Sequence, residues 1–103
     1  MYKIKIQVYI WDGDSIENSE QWTVACKNIE IPFPPFHDLK IDFETEKERK
    51  IKSVTWNIDN QTFSCELYEQ FCYLGVDDLM FDEWVEDFED NGWLINGPHK
   101  NNV

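Results

Sequence analysis

Base is what this sequence is shortest of. Against 21 Asp and Glu it sets 9 Lys and Arg, for a formal net charge of −12. The imbalance is uneven: residues 61–103 hold ten acids and a single base, Lys100. A field of that sign repels nucleic acid and anionic membrane and attracts basic surfaces, which excludes a direct nucleic-acid or membrane partner. Cysteine is scarce and odd in number: Cys26, Cys65 and Cys72, with no C-x-x-C. A disulfide framework is not expected, and a reducing compartment is. Glycine occurs four times, each isolated at a turn, so no phosphate-cradling loop exists. The two histidines, His37 and His99, lack close-paired ligand spacing with the cysteines, so no zinc site and no cofactor is expected. No apolar run approaches the roughly 20 residues that span a bilayer. The first residues alternate apolar with polar and form no signal-type run, from which an unprocessed, cytoplasmic chain is expected.

What is present is a core. Apolar residues make up 42% and aromatics 16% of the 103 residues, so the charge does not imply disorder. That length fits one domain, expected over 1–95, with a polar tail over 96–103. Tyr2, Ile4, Ile6, Val8 and Ile10 alternate with polar neighbours and predict a strand. Asp12-Gly13-Asp14-Ser15 breaks it. Trp22, Val24 and Cys26 resume the alternation, and Ile29 and Ile31 follow with shifted parity, which predicts a bulge near Lys27-Asn28. Three prolines between Ile31 and Phe36 exclude a central strand there and leave Phe33 and Phe36 either plugging a sheet end or meeting a partner. Leu39, Ile41 and Phe43 predict a third strand. Val54, Trp56, Ile58 and Phe63, Cys65, Leu67 predict a hairpin turning at Asp59-Asn60. Cys65, inside that alternation, reads as a small buried hydrophobe.

A helix is predicted from a cap at Asp77 or Asp78 to about Asp90, closed by Asn91-Gly92. The expected fold is therefore α+β, an antiparallel sheet of about five strands with one C-terminal amphipathic helix. A β-sandwich or small barrel with an appended helix is the alternative.

That helix carries the chemistry. At about 100° per residue, Phe81, Trp84, Val85 and Phe88 form one stripe. Asp82, Glu83, Glu86, Asp87, Glu89 and Asp90 fall opposite, with no base among them. Acid pairs at i and i+4 repel by a few tenths of a kcal/mol each, and acids in the last turn oppose the helix dipole. Local helix rules are broken in one direction, which points to selection for contact with a cationic surface. The expected partner site is Asp78, Asp82, Glu83, Glu86, Asp87, Glu89 and Asp90. Such a row imitates a phosphate backbone, whose charges repeat at about 3.4 Å along one strand.

The other constellations are weaker. Asp12-Gly13-Asp14-Ser15-Ile16-Glu17 departs from the calcium-loop pattern at Ile16 and Glu17. Cys72 with either histidine lacks a supporting local sequence for nucleophilic catalysis, and clustered exposed acids suit electrostatics better than proton transfer, so no enzyme is expected. In size and charge pattern the chain resembles the small acidic anti-restriction and anti-CRISPR proteins of phages and mobile elements. That resemblance implies a non-enzymatic inhibitor of DNA- or RNA-mimic type, covering the nucleic-acid groove of a basic protein. An immunity protein against a basic toxin or nuclease shares the same acidic face. A structural adaptor with a merely solvated face is the third possibility. Stoichiometry and oligomeric state are left open by the sequence.

Overall fold

The computed structural model describes residues 1–44, 46–73 and 79–101. Among these described residues seven strands and one helix follow in the order β1 (Tyr2–Trp11), β2 (Gln21–Ile31), β3 (Lys40–Ile41), β4 (Arg49–Asn57), β5 (Thr62–Leu67), β6 (Gln70–Phe71), α1 (Phe81–Asp90) and β7 (Leu94–Lys100). The fold is α+β, a mostly sheet core with one C-terminal helix. Two compact units divide the chain: Met1–Gln7 with Cys26–Tyr68, and Val8–Ala25 with Glu69–Val103. Strands β1 and β2 run through both.

In the first unit β4 and β5 form the expected antiparallel hairpin, with Trp56 opposite Phe63 and Val54 opposite Cys65. Its turn differs from expectation in one detail. The left-handed residue is Gln61, at φ 52°, and Ile58 lies in the turn rather than the strand. The Asn57 side chain accepts the Asn60 N–H at 3.1 Å, which stabilises the turn without a positive φ at Asp59 or Asn60. β3 pairs antiparallel with β4 but is only two residues long, shorter than the Leu39–Phe43 alternation implied.

The sheet is larger than the expected five strands and is not purely antiparallel. β1 pairs in parallel with β5, placing Ile4 beside Phe63 and Ile6 beside Cys65. In the second unit β1 pairs in parallel with β6, Ile10 beside Gln70. Alternation of apolar and polar residues encodes which face a side chain takes, not which way the neighbouring strand runs. Flanked on both edges, β1 carries a fully buried row: Ile4, Ile6, Val8 and Ile10 are all at or below 1% exposure. At about 1.5–3 kcal/mol per fully buried aliphatic side chain, this row alone is a major stabilising term.

β2 corrects the parity assigned to it. Thr23 and Ala25 are buried, while Trp22, Val24 and Cys26 are only half-buried. With Ile29 and Ile31 these odd positions keep one phase, so the expected shift at Lys27-Asn28 is not needed. The large side chains misled the alternation because they lie on the opposite face, where Trp22 meets Tyr9, Trp11 and His99 at ring-centroid distances of 5.8, 5.7 and 4.6 Å.

The segment expected to leave the fold as a polar tail at Asn96 lies within β7. Its hold is polar. Thr23 Oγ1 donates to the Asn96 carbonyl at 2.8 Å, and the Asn101 amide nitrogen reaches the Ile16 and Ser19 carbonyls at 2.8 and 2.9 Å. Hydropathy is blind to such hydrogen bonds.

Candidate acidic recognition surface

Helix α1 begins later than its sequence signals suggest. Met80 occupies the N-cap position, and the Glu83 carboxylate accepts the Met80 backbone N–H at 3.3 Å. The expected caps Asp77 and Asp78 lie outside the described residues. A start at Phe81 moves Asp82 and Glu83 into the first turn, where the positive end of the dipole favours them. The C-terminus closes as expected. Gly92 takes φ 87°, which glycine alone adopts freely, and the Trp93 N–H returns to the Phe88 carbonyl at 3.0 Å. The Asn91 side chain donates to the Asp87 carbonyl at 2.8 Å.

The apolar stripe anchors the helix. Phe81, Trp84 and Phe88 are buried, and Val85 is half-buried. Phe88 meets Trp84 at 6.2 Å and the edge of Trp93 at 5.1 Å. Edge-to-face packing of that kind adds about 0.5–1.5 kcal/mol beyond area burial and fixes the rotation of the helix about its own axis. Fixing the rotation fixes where the acids point. Asp82, Glu83, Glu86, Glu89 and Asp90 are exposed, and Asp87 is half-buried. Among the described residues, no cation forms an ion pair with any of the six. The last turn contains no base. Asp82 to Asp90 spans about 12 Å at 1.5 Å per residue, a length along which one duplex strand presents about four phosphates.

The division into units adds what the linear sequence hides. The first unit holds eight acids and eight bases and is formally neutral; the second holds thirteen acids and one base. The whole net charge therefore belongs to the unit that contains α1. It gains Asp12, Asp14, Glu17 and Glu20 from the β1–β2 connection, which the sequence places about sixty residues away from the helix. A groove of about 530 Å³ in this unit is lined by Asp12, Asp14, Glu20, Tyr73 and Met80, among others, so loop acids and the helix N-cap share one concavity. The sequence reading did not join these loop acids to the helix, because their adjacency to its N-cap is in space and not in sequence.

Within that loop two of the carboxylates hold the local structure. Asp12 accepts the Gln21 side-chain amide at 2.9 Å, and Asp14 accepts that of Asn18 at 3.0 Å. Among the described residues no group of three or more His, Cys, Asp or Glu is placed to hold a metal ion. Cys72 is buried. His37 is exposed, 3.4 Å from the Tyr68 hydroxyl, which donates to Asp38 at 3.0 Å. His99 lies against the Trp22 ring. Cys65 is buried at 1% exposure, and desolvation pushes its thiol up to about 11 from 9.0. No described helix is long and apolar enough to cross a membrane. Comparison with protein-family models, with curated proteins and with solved structures finds no match to this chain.

Proposed function

We propose that the chain is a small non-enzymatic inhibitor that covers the cationic nucleic-acid-binding surface of another protein by imitating a phosphate backbone. The supporting observation is the α1 face: five exposed carboxylates, unpaired with any cation among the described residues, on a helix whose rotation is fixed by buried aromatics. A face selected for stability alone would place Lys or Arg in the last turn, where each is worth about 0.3–1 kcal/mol. The partner is a protein with a basic groove. The biological setting that fits is counter-defence by a phage or mobile element, in the cytoplasm of a bacterial host. Neutralising a basic toxin or nuclease uses the same contact.

The experiment is capture of partners from a bacterial extract on immobilised chain, followed by salt titration and competition with duplex DNA. Wild type is expected to hold a basic protein that dissociates steeply with salt and is displaced by the duplex. The variant carrying Asp82→Ser, Glu83→Ser, Glu86→Ser and Asp87→Ser is expected to lose that protein. Retention by the variant at unchanged affinity and unchanged salt dependence refutes the proposal.

A further inference from the structure

The first unit shows the opposite character from the second, with no net charge and a cluster of exposed apolar side chains. At one end of its sheet three rings lie in a row across β4, β5 and β1. Trp56 and Phe63 are 4.8 Å apart, and Phe63 and Tyr2 are 6.0 Å apart. Trp56 and Tyr2 are nonetheless 49% and 41% exposed. These rings line a groove of about 530 Å³, floored also by Thr62 and rimmed by Lys3. Beside it, in the β4–β5 turn, Ile58 is 76% exposed. An aliphatic side chain held out at a tight turn gains little burial within its own chain, and contiguous exposed apolar clusters mark contact surfaces.

We propose that this end of the sheet is a self-association surface: a second copy of the chain seats its Ile58 in the Tyr2–Trp56–Phe63 groove, reciprocally, about a two-fold axis. Three features select a second copy as the occupant. Knob and socket lie on the same patch, which is the requirement of an isologous contact, where residue i meets j and j meets i. The patch also belongs to the formally neutral unit, so joining two copies through it brings together surfaces without the acidic excess of the second unit, which has thirteen acids against one base. Finally, the rim carries exposed charges of both signs, Lys3 and the Met1 ammonium beside the groove and Asp59 next to Ile58, and neither Lys3 nor Asp59 has an ion-pair partner among the described residues. A two-fold axis places each Lys3 toward the other copy's Asp59. Trp and Tyr are the residue types that most often dominate such contacts.

Sedimentation velocity of the full chain tests this, from about 1 μM to about 300 μM, the range in which a micromolar dimer assembles. Wild type is expected to shift from the 12.4 kDa monomer to twice that mass as concentration rises. Ile58→Lys, at an exposed turn position where the fold is not at risk, is expected to leave only monomer with an unchanged circular dichroism spectrum. Lys3→Asp is expected to weaken the dimer at least tenfold, and Lys3→Asp combined with Asp59→Lys to restore it. Wild type that remains monomeric across the whole range overturns the proposal and assigns the groove to a different occupant. A dimer that survives Ile58→Lys overturns it equally, because the contact then lies elsewhere. Neither outcome bears on the acidic helix, whose test measures a different partner.

Discussion

Gly97 sits where no other residue fits. Its φ is 141°, and a Cβ built there would meet Thr23 Oγ1 at 2.5 Å and Thr23 Cβ at 2.9 Å. Thr23 is itself fully buried and donates to the Asn96 carbonyl, so it has no room to yield. Gly97→Ala is therefore expected to lower stability by about 1–3 kcal/mol, read as a drop in the denaturant midpoint. Thr23→Val keeps the volume but leaves the Asn96 carbonyl without its donor, and is expected to cost about 1–2 kcal/mol. Cys65 gives a second prediction at this scale. Its thiol is raised to about 11 by burial, against 9.0 in an exposed chain. A group raised in the folded state contributes stability below its unfolded value and loses it as pH climbs toward the folded one. Denaturant midpoints are thus expected to fall between about pH 9 and pH 11, and Cys65→Ala is expected to flatten that part of the profile. At neutral pH half-buried Cys26 is expected to react with a thiol reagent long before Cys65 does. Burial of Cys65 was legible in the sequence, because its neighbours alternate around it. The Thr23–Gly97 contact was not, because it joins residues more than seventy positions apart through a hydrogen bond and a backbone angle.

Helix α1 places stability and recognition in opposition. Its Phe81, Trp84 and Phe88 stripe was readable from spacing alone, as was its stop at Asn91-Gly92. Its start was not: Asp77 and Asp78 offered the stronger capping chemistry, yet the helix opens at Phe81, where Glu83 reaches back to Met80. The shifted start changes which acids are costly. Asp82 and Glu83 now sit favourably at the positive end, and the burden falls on Glu89 and Asp90. Glu89→Lys with Asp90→Lys is expected to stabilise the protein by about 0.5–1.5 kcal/mol, since each lysine complements the negative helix end. If the face is a recognition surface, the same pair of substitutions weakens partner binding. A more stable variant with undiminished binding would show that the last-turn acids are not part of the contact. The sheet follows the same division between legible and hidden. Strand positions and the β4–β5 hairpin followed from alternation and turn chemistry. The parallel pairing of β1 with β5 and β6 did not, since strand direction leaves no trace in a two-residue period.

For the whole molecule the decisive quantity is where charge gathers. Counting along the chain located an excess of acids in the last two-fifths, but the folded units sort it completely: neutral in one, thirteen acids against one base in the other. Threading β1 and β2 through both units is what brings Asp12, Asp14, Glu17 and Glu20 to the helix-bearing side of that division. No linear count can show this. Like charges at this density repel one another in the folded state more than in an expanded chain, so folding works against them. Salt shortens the reach of that repulsion from about 30 Å at 0.01 M to about 10 Å at 0.1 M and about 3 Å at 1 M, the last shorter than the spacing of most exposed helix acids. Thermal midpoints are accordingly expected to rise with NaCl between 0.01 and 0.5 M, by several degrees. Each kcal/mol of relieved repulsion is worth about 4–8 °C in a chain of this size. General salting-out would raise the midpoint too, so the informative comparison is with the Glu89→Lys, Asp90→Lys variant, which has two fewer carboxylates and two added lysines, a formal net charge of −8 instead of −12. Its gain with salt is expected to be smaller than that of wild type over the same range. Equal gains in the two proteins would mean that the helix acids do not feel one another across the unit, and that the net charge acts only on solubility.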